Sequence, residues 1–155
     1  MRRRPGVHDE APDAGQAGLE AVLFGVLVFV LGTLLVVNAW GVVDAKLAAS
    51  SAAREAARSY VEAPSPQAAD GDARRAAEEA IAGHGRDGSR LELQLLDGRF
   101  ARCARVTFEA RYHVPLVAVP LLGQHGRGTV VSARHSEVVD PYRSGPAGTA
   151  VCDGG

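Results

Sequence analysis

The sequence has few of the residues that build a dense core. Aromatic residues make up 5% of the 155 positions, with one Trp and one Met. Much of the 46% hydrophobic fraction is alanine or belongs to one block near the N-terminus. The rest of the chain therefore predicts a small domain with a thin core. The formal net charge of −1 gives no excess of positive charge, which argues against nucleic acid as a partner.

Catalytic and metal-binding motifs are missing as well. The chain contains no HExxH, GxSxG or GxxxxGK[ST] pattern, and its five histidines are scattered. No pair of cysteines or histidines has the CxxC or HxxxH spacing that would favour a zinc site. A metal site built from Cys103 and Cys152 with His113 or His135 is the alternative. We expect a non-enzymatic protein with no metal, no cofactor and no small-molecule substrate.

One apolar block decides the class of protein. Residues 21–43 read AVLFGVLVFVLGTLLVVNAWGVV and include no charged side chain. As an α-helix this block would be about 35 Å long, enough to cross a hydrocarbon core of about 30 Å. Each Leu, Val or Phe favours insertion by about 0.3–0.6 kcal/mol, and one Asn cannot reverse the sum of these contributions. The block predicts a transmembrane helix. A buried helix of a soluble core is the alternative, but such helices rarely stay apolar on all sides for this length.

The flanking charges indicate the orientation of that helix. Three arginines at positions 2–4 precede the block, which favours a cytoplasmic N-terminus and an extracytoplasmic C-terminal domain in a single-pass membrane protein. Lys46, Arg54 and Arg58 follow the block and weaken the bias. A cleaved signal peptide is the alternative, but its apolar region would normally be about 7–15 residues long.

The pattern along the chain predicts an α+β architecture. We expect a disordered leader over residues 1–15, one long helix over 16–62, a linker with a short helix over 63–90, a small antiparallel sheet over 91–140 and a Gly-rich tail over 141–155.

The long helix should extend beyond the membrane. After the apolar block it stays free of Gly and Pro until Pro64, and one face carries Ala45, Ala49, Ala52, Ala56 and Tyr60. The short helix is expected from about Asp72 to Ala82, with Asp70 or Asp72 as its N-cap and with Arg74–Glu78 and Arg75–Glu79 pairs.

Three segments alternate with the period of a strand. Leu91, Leu93 and Leu95 form the first, and Asp97-Gly98 predicts a hairpin turn after it. The second alternates from Arg105 to Val114, with its charged residues on an outer face. The third is expected over residues 129–139, with His135, like His113, on the outer face. The apolar connection over 115–123 is predicted to cover the core, with contact to lipid headgroups as the alternative.

The two cysteines both follow the membrane block. In an oxidising compartment Cys103 and Cys152 could form a disulfide that holds the tail on the domain. A free, buried Cys103 with a loose tail is the alternative.

Within the apolar helix, Ala21 and Gly25 form a small-xxx-small pair, and Gly32 lies two turns further on. These residues could mark a contact between helices. Asn38 is expected near the outer end of the helix, where its amide could hydrogen-bond to a neighbouring helix.

The start of the helix carries a charge whose position allows two interpretations. Glu20 lies where the chain would enter the bilayer. It could be an interfacial residue that the helix dipole tolerates. Alternatively, cleavage after Gly15 would create an amino terminus at Gln16, which could neutralise Glu20 of an adjacent subunit.

Gly15 followed by Glu20 at the opening of a long apolar helix resembles the processing site of type IV prepilins. Together with the segments AAREAARSYVE and SARHSEVVDPYRSG, it makes most of residues 15–143 similar to the TadE-like proteins, which are pilin-like components of tight-adherence pilus assembly. The resemblance implies a pilin-like fold and cleavage by a prepilin peptidase. It also implies assembly with other pilin-like subunits. By motif match, Gly15 is the last leader residue, Gln16 the first mature residue and Glu20 the assembly glutamate.

Three hypotheses follow. The first is a TadE-like pseudopilin or minor pilin. The second is an unprocessed single-pass protein that anchors a binding or scaffold domain. The third is a secreted module with a removable signal.

Overall fold

The computed structural model describes residues 14–115 and 128–152. Two α-helices, a short 3-10 turn and three strands follow one another: α1 (Ala14–Glu62), α2 (Pro66–Gly83), the turn (Gly88–Arg90), β1 (Leu91–Asp97), β2 (Arg105–Val114) and β3 (Thr129–Val138). This is the expected α+β layout, with a long N-terminal apolar helix and a small antiparallel sheet. Most of the predicted leader and the 116–127 part of the β2–β3 connection lie outside the described residues.

The chain divides into two compact units, Met1–Val37 and Asn38–Gly155. Among its described residues, the first unit consists of residues 14–37 of α1, a helix that begins two residues earlier than predicted. Its large apolar side chains, such as Phe24 and Phe29, are exposed. The buried core that the described residues form lies in the second unit.

In the second unit, α1 presents an alanine face to the core. Ala45, Ala49, Ala52 and Ala56 are fully buried and Tyr60 is 6% exposed, as the helical spacing predicted. Because alanine has a single methyl group, other elements can pack close to this helix. Tyr60 makes edge-to-face contacts with Phe100 and Phe108, at centroid distances of 5.9 and 5.3 Å.

The second helix begins earlier than its sequence pattern indicated. It starts at Pro66 rather than near Asp72, because Ser65 is its N-cap and accepts a hydrogen bond from the Ala68 amide at 3.3 Å. Proline suits this first position because its missing N–H would be unpaired there anyway. The predicted cap Asp72 lies inside the helix. There it forms an ion pair with Arg75, for which Glu79 was the expected partner. The apolar face of α2 is buried through Ala69, Ala73, Ala77 and Ile81.

The sheet has the order β1-β2-β3, with both pairs antiparallel. The predicted alternation is confirmed on β2, where Val106, Phe108, Ala110, Tyr112 and Val114 are buried. Leu91, Leu93 and Leu95 of β1 lie opposite Tyr112, Ala110 and Phe108. His135 pairs with Phe108 and therefore lies on the inner face, so the prediction of an outer position was wrong. The His135 side chain is partly buried there, and its Nε2 lies 3.0 Å from Glu137 Oε1.

The connection between β1 and β2 is not the tight hairpin that Asp97-Gly98 predicted. Residues 98–104 separate the two strands, and Gly98 has a φ of +91°. A Cβ at Gly98 would collide with the backbone of Arg105, so the position requires glycine. The longer loop brings Phe100 to the core beside Tyr60, a contact that a two-residue turn would not allow.

Candidate functional site

The first candidate site is the apolar surface of α1. In the described part of the chain, one helix is long and apolar enough to cross a membrane, by length and composition. The large apolar side chains of residues 22–31 are 46–73% exposed, so the protein itself does not cover them. A surface of this size and composition is stable in lipid and unfavourable in water.

The three residues of the processing pattern lie together at the start of this helix. Gly15, Gln16 and Glu20 fall in the first two turns of α1, which begins at Ala14. The Glu20 side chain is exposed. The Gly15–Gln16 peptide bond is therefore in the first helical turn, where helices fray most readily.

The small residues lie on one side of the helix. Ala21 and Gly25 are four residues apart, and Gly32 is seven beyond Gly25, which places all three on nearly the same side. A Cβ at Gly25 or Gly32 would meet no atom within 4 Å. Val28, Phe29 and Val36 flank Gly32 and line a shallow groove there. This side of the helix has the geometry with which membrane helices approach one another closely.

Asn38 opens the second unit and is partly buried. Trp40, two residues further on, is 73% exposed. An exposed Trp within the last turn of the apolar block is typical of the aromatic belt that membrane helices carry close to the interface.

The tail is held on the domain by a disulfide and by backbone hydrogen bonds. Cys103 and Cys152 are bonded to each other, as predicted. The Arg102 amide donates to Ala147 O at 2.8 Å, and the Arg102 side chain donates to Gly148 O and Arg143 O. Arg143 in turn donates to the carbonyls of Val61 and Glu62 at the end of α1. The tail thus connects the β1–β2 loop to the end of the long helix.

The outer face of the sheet carries a buried ion-pair cluster that was not predicted from the sequence. Glu109 lies on the charged outer face, as predicted, but its side chain is only 2% exposed. Arg134 Nε and Arg111 Nε donate to its two oxygens at 2.8 and 2.7 Å. The hydrogen bond from Arg134, followed by that from Arg111, outweighs desolvation and holds the pKa of Glu109 below its ordinary value. In the sequence, this cluster is indicated only by Arg111, two positions from Glu109 on the same strand. The contact with Arg134 depends on the β2–β3 register.

In the described part of the chain, the histidines and acidic residues do not gather into a site. His113 lies on the outer face, 3.1 Å from Glu92 Oε1. Within residues 14–115 and 128–152, no group of three or more His, Cys, Asp or Glu side chains is arranged to hold a metal ion.

Comparison with known proteins gives no relative. No family model matches the chain, and neither a curated protein nor a solved structure is significantly similar to it.

Proposed function

We propose that the chain is a TadE-like pseudopilin or minor pilin, which assembles through its N-terminal helix into a surface pilus or a secretion pseudopilus. The observation that carries the proposal is the start of α1. There, Gly15 and Glu20 immediately precede a helix surface that is apolar on all sides and exposed. In this role the N-terminus is cytoplasmic, the helix crosses the cell membrane once, and the sheet domain is extracytoplasmic.

The chemistry of assembly follows from the position of Glu20. A carboxylate at the edge of the hydrocarbon core is unfavourable without a partner. After cleavage by a prepilin peptidase, the new amino group of Gln16 on one subunit would neutralise Glu20 of the next. The pairing would set the register between neighbouring helices, with the small residues Ala21, Gly25 and Gly32 allowing close contact.

The domain beyond the membrane suits an extracytoplasmic location. It has a disulfide between Cys103 and Cys152, and such bonds persist in oxidising compartments. Because residues 45–60 of α1 supply a large part of the buried core, the domain depends on its own long helix for folding.

Mass spectrometry of the mature N-terminus tests this proposal. The full-length protein is expressed in a host with a prepilin peptidase, purified from membranes and analysed intact. We expect a chain that begins at Gln16, and a matched Gly15→Leu variant that keeps its leader. A start beyond Val43 would contradict the proposal, because the assembly helix would have been removed.

The second candidate is an unprocessed single-pass anchor for a binding or scaffold domain. It is favoured by the helical conformation of the Gly15–Gln16 bond, which is not the extended form that proteases bind. An intact N-terminus on membrane-embedded protein, unaffected by co-expression of the peptidase, would support this alternative.

A further inference from the structure

The second unit has an apolar groove that its own described residues leave open. Three of its side chains are large, apolar and about half exposed: Val43 (52%), Leu47 (59%) and Val130 (48%). They line an open depression of about 460 Å³ between α1 and β3. We call it the Leu47 groove, and its residues are Val42, Val43, Lys46, Leu47, Val130, Val131 and Ser132.

The groove starts where the apolar block of the sequence ends. Val43 is the last residue of that block, and Asp44 carries the first charge after it. Leu47 is one helical turn further along α1, about 6 Å at 1.5 Å per residue. The headgroup layer on each side of a bilayer is about 5–7 Å thick. If the hydrocarbon core ends at Val43, Leu47 lies within the headgroup layer.

The sheet reaches the same level through β3. The Lys46 ammonium donates a hydrogen bond to the carbonyl of Ser132, which places the beginning of β3 beside this turn of α1. The β2–β3 connection leaves at Pro115 and returns at Gly128, where an added Cβ would lie 2.5 Å from Val114 O. Both of its ends are therefore next to the groove. The connection opens with the uncharged sequence LVAVPLLG.

The two ends of the sheet differ in polarity in a way that fits a lipid surface. At the groove end, β2 finishes with Val114, and Val130 and Val131 follow the first residue of β3. At the opposite end, the charged residues Arg105 and Glu137 are next to Val138. An apolar edge beside an exposed Lys is the composition of surfaces that insert into the interface of anionic membranes.

We propose that the Leu47 groove is a lipid-binding surface, which receives the upper part of acyl chains and presents Lys46 to an anionic headgroup phosphate. The extracytoplasmic domain then rests on the bilayer through β3 as well as being joined to it by α1. This inference rests on the membrane anchoring of the proposed function, but not on processing or on pilus assembly.

Tryptophan fluorescence in vesicles tests the proposal on the full-length chain. Trp40 is the single tryptophan, so Trp40→Phe gives a silent background. Val130→Trp and Val138→Trp are then introduced one at a time. These valines are 48% and 47% exposed on the same strand, about 26 Å apart at 3.3 Å per residue, which makes Val138 a matched control. The vesicles contain phosphatidylcholine and phosphatidylglycerol, with or without bromine on the acyl chains.

We expect brominated lipids to quench the emission of Val130→Trp to a degree comparable with Trp40 in the unmodified protein. The emission of Val138→Trp should be unchanged by bromine and quenched by aqueous iodide. In addition, Lys46→Gln should reduce the response of Val130→Trp to phosphatidylglycerol. If circular dichroism shows that Val130→Trp does not fold, Leu47→Trp replaces it, because Leu47 belongs to the same groove and is more exposed.

The other results overturn the proposal in distinguishable ways. If Trp40 is quenched by bromine but Val130→Trp is not, the membrane anchor stands and the lipid-binding groove is wrong. Blue-shifted emission would then show a protein cover, either residues 116–123 or a second copy, and red-shifted emission would show water. If Trp40 itself is not quenched, the anchoring fails and the groove proposal fails with it.

Discussion

Arg86 donates two hydrogen bonds to a single carboxylate oxygen of Asp44, from Nε at 3.0 Å and from Nη2 at 2.7 Å. Nη2 also donates to Gly41 O at 3.0 Å, and the guanidinium lies 5.5 Å from the centre of the Tyr112 ring. Arg86, which follows α2, thus joins the part of α1 at the start of the second unit to β2. Because Arg86 has 15% of its side chain exposed, solvent screens these contacts less than those of a surface pair.

We expect Arg86→Ala to destabilise the domain by about 2 kcal/mol, since it removes charge-assisted hydrogen bonds from a partly buried site. Arg90→Ala is the control, because the Arg90–Asp87 pair is exposed and its atoms are 3.6 Å apart. The control should change stability by less than about 0.5 kcal/mol. Urea unfolding of the detergent-solubilised protein, followed by circular dichroism, measures both. Equal losses in the two variants would contradict the structural role of Arg86.

The alanine face of α1 should not tolerate larger residues. Ala52 is fully buried, so Ala52→Leu would force the packed elements apart and should destabilise by about 1–3 kcal/mol or more. Ala82→Leu, at an exposed position of α2, should have little effect. Thermal unfolding compares the two. A stable Ala52→Leu variant would mean that the sheet packs less closely on α1 than described.

The Glu109 cluster should make stability depend on pH. The folded-state pKa of Glu109 is below its ordinary value near 4.5, mainly because of the hydrogen bond from Arg134. A depressed pKa contributes stability above the unfolded-state pKa, and this contribution is lost as pH falls through the folded-state pKa. Glu109→Gln should therefore lower the unfolding midpoint at pH 7 and approach the unmodified protein at acidic pH.

Glu92→Gln is the matched control for that measurement, because Glu92 is exposed and its contact is with His113. Its unfolding midpoint should stay close to that of the unmodified protein at pH 7. A constant difference between Glu109→Gln and the unmodified protein from pH 7 down to acidic pH would contradict the assigned direction of the pKa.

Loss of the disulfide should release the tail. Cys103 and Cys152 are 49 positions apart, and a crosslink of this span stabilises a domain by about 2–4 kcal/mol. We expect the Cys103→Ser/Cys152→Ser variant to lose that amount and to be cleaved faster at Arg143 by trypsin. Reductant should produce the same change in the unmodified protein and none in the variant. Unchanged proteolysis would show that the backbone contacts of Ala147 hold the tail by themselves.

The proposed assembly role of Glu20 predicts a separation between insertion and assembly. Glu20→Ala should still fractionate with membranes, because the apolar block is unchanged. Assembly into fibres should fall at least about ten-fold, since an unpaired partner charge at the subunit contact costs a few kcal/mol. Glu79→Ala, on the exposed surface of α2, is the control. Normal fibre yield from Glu20→Ala would disprove the role of this glutamate.

Several features of the fold could be predicted because they depend on residues close together in the chain. The apolar helix surface follows from the uncharged residues 21–43, and the buried alanine face of α1 follows from helical spacing. The alternation of β2 is likewise a local periodicity. The position of the disulfide could be proposed because the chain has only two cysteines.

The tertiary structure alone decided the features that depend on residues distant in the chain. Burial of Glu109 required Arg134 from another strand, and the inward position of His135 required the register with Phe108. The β1–β2 loop over residues 98–104 places Phe100 against Tyr60, which is 40 positions away in the chain. The sequence by itself therefore established the apolar helix and the class of fold, because composition and periodicity act locally. Packing decided which charges are buried and where loops begin and end, because those outcomes depend on partners that only the folded chain brings together.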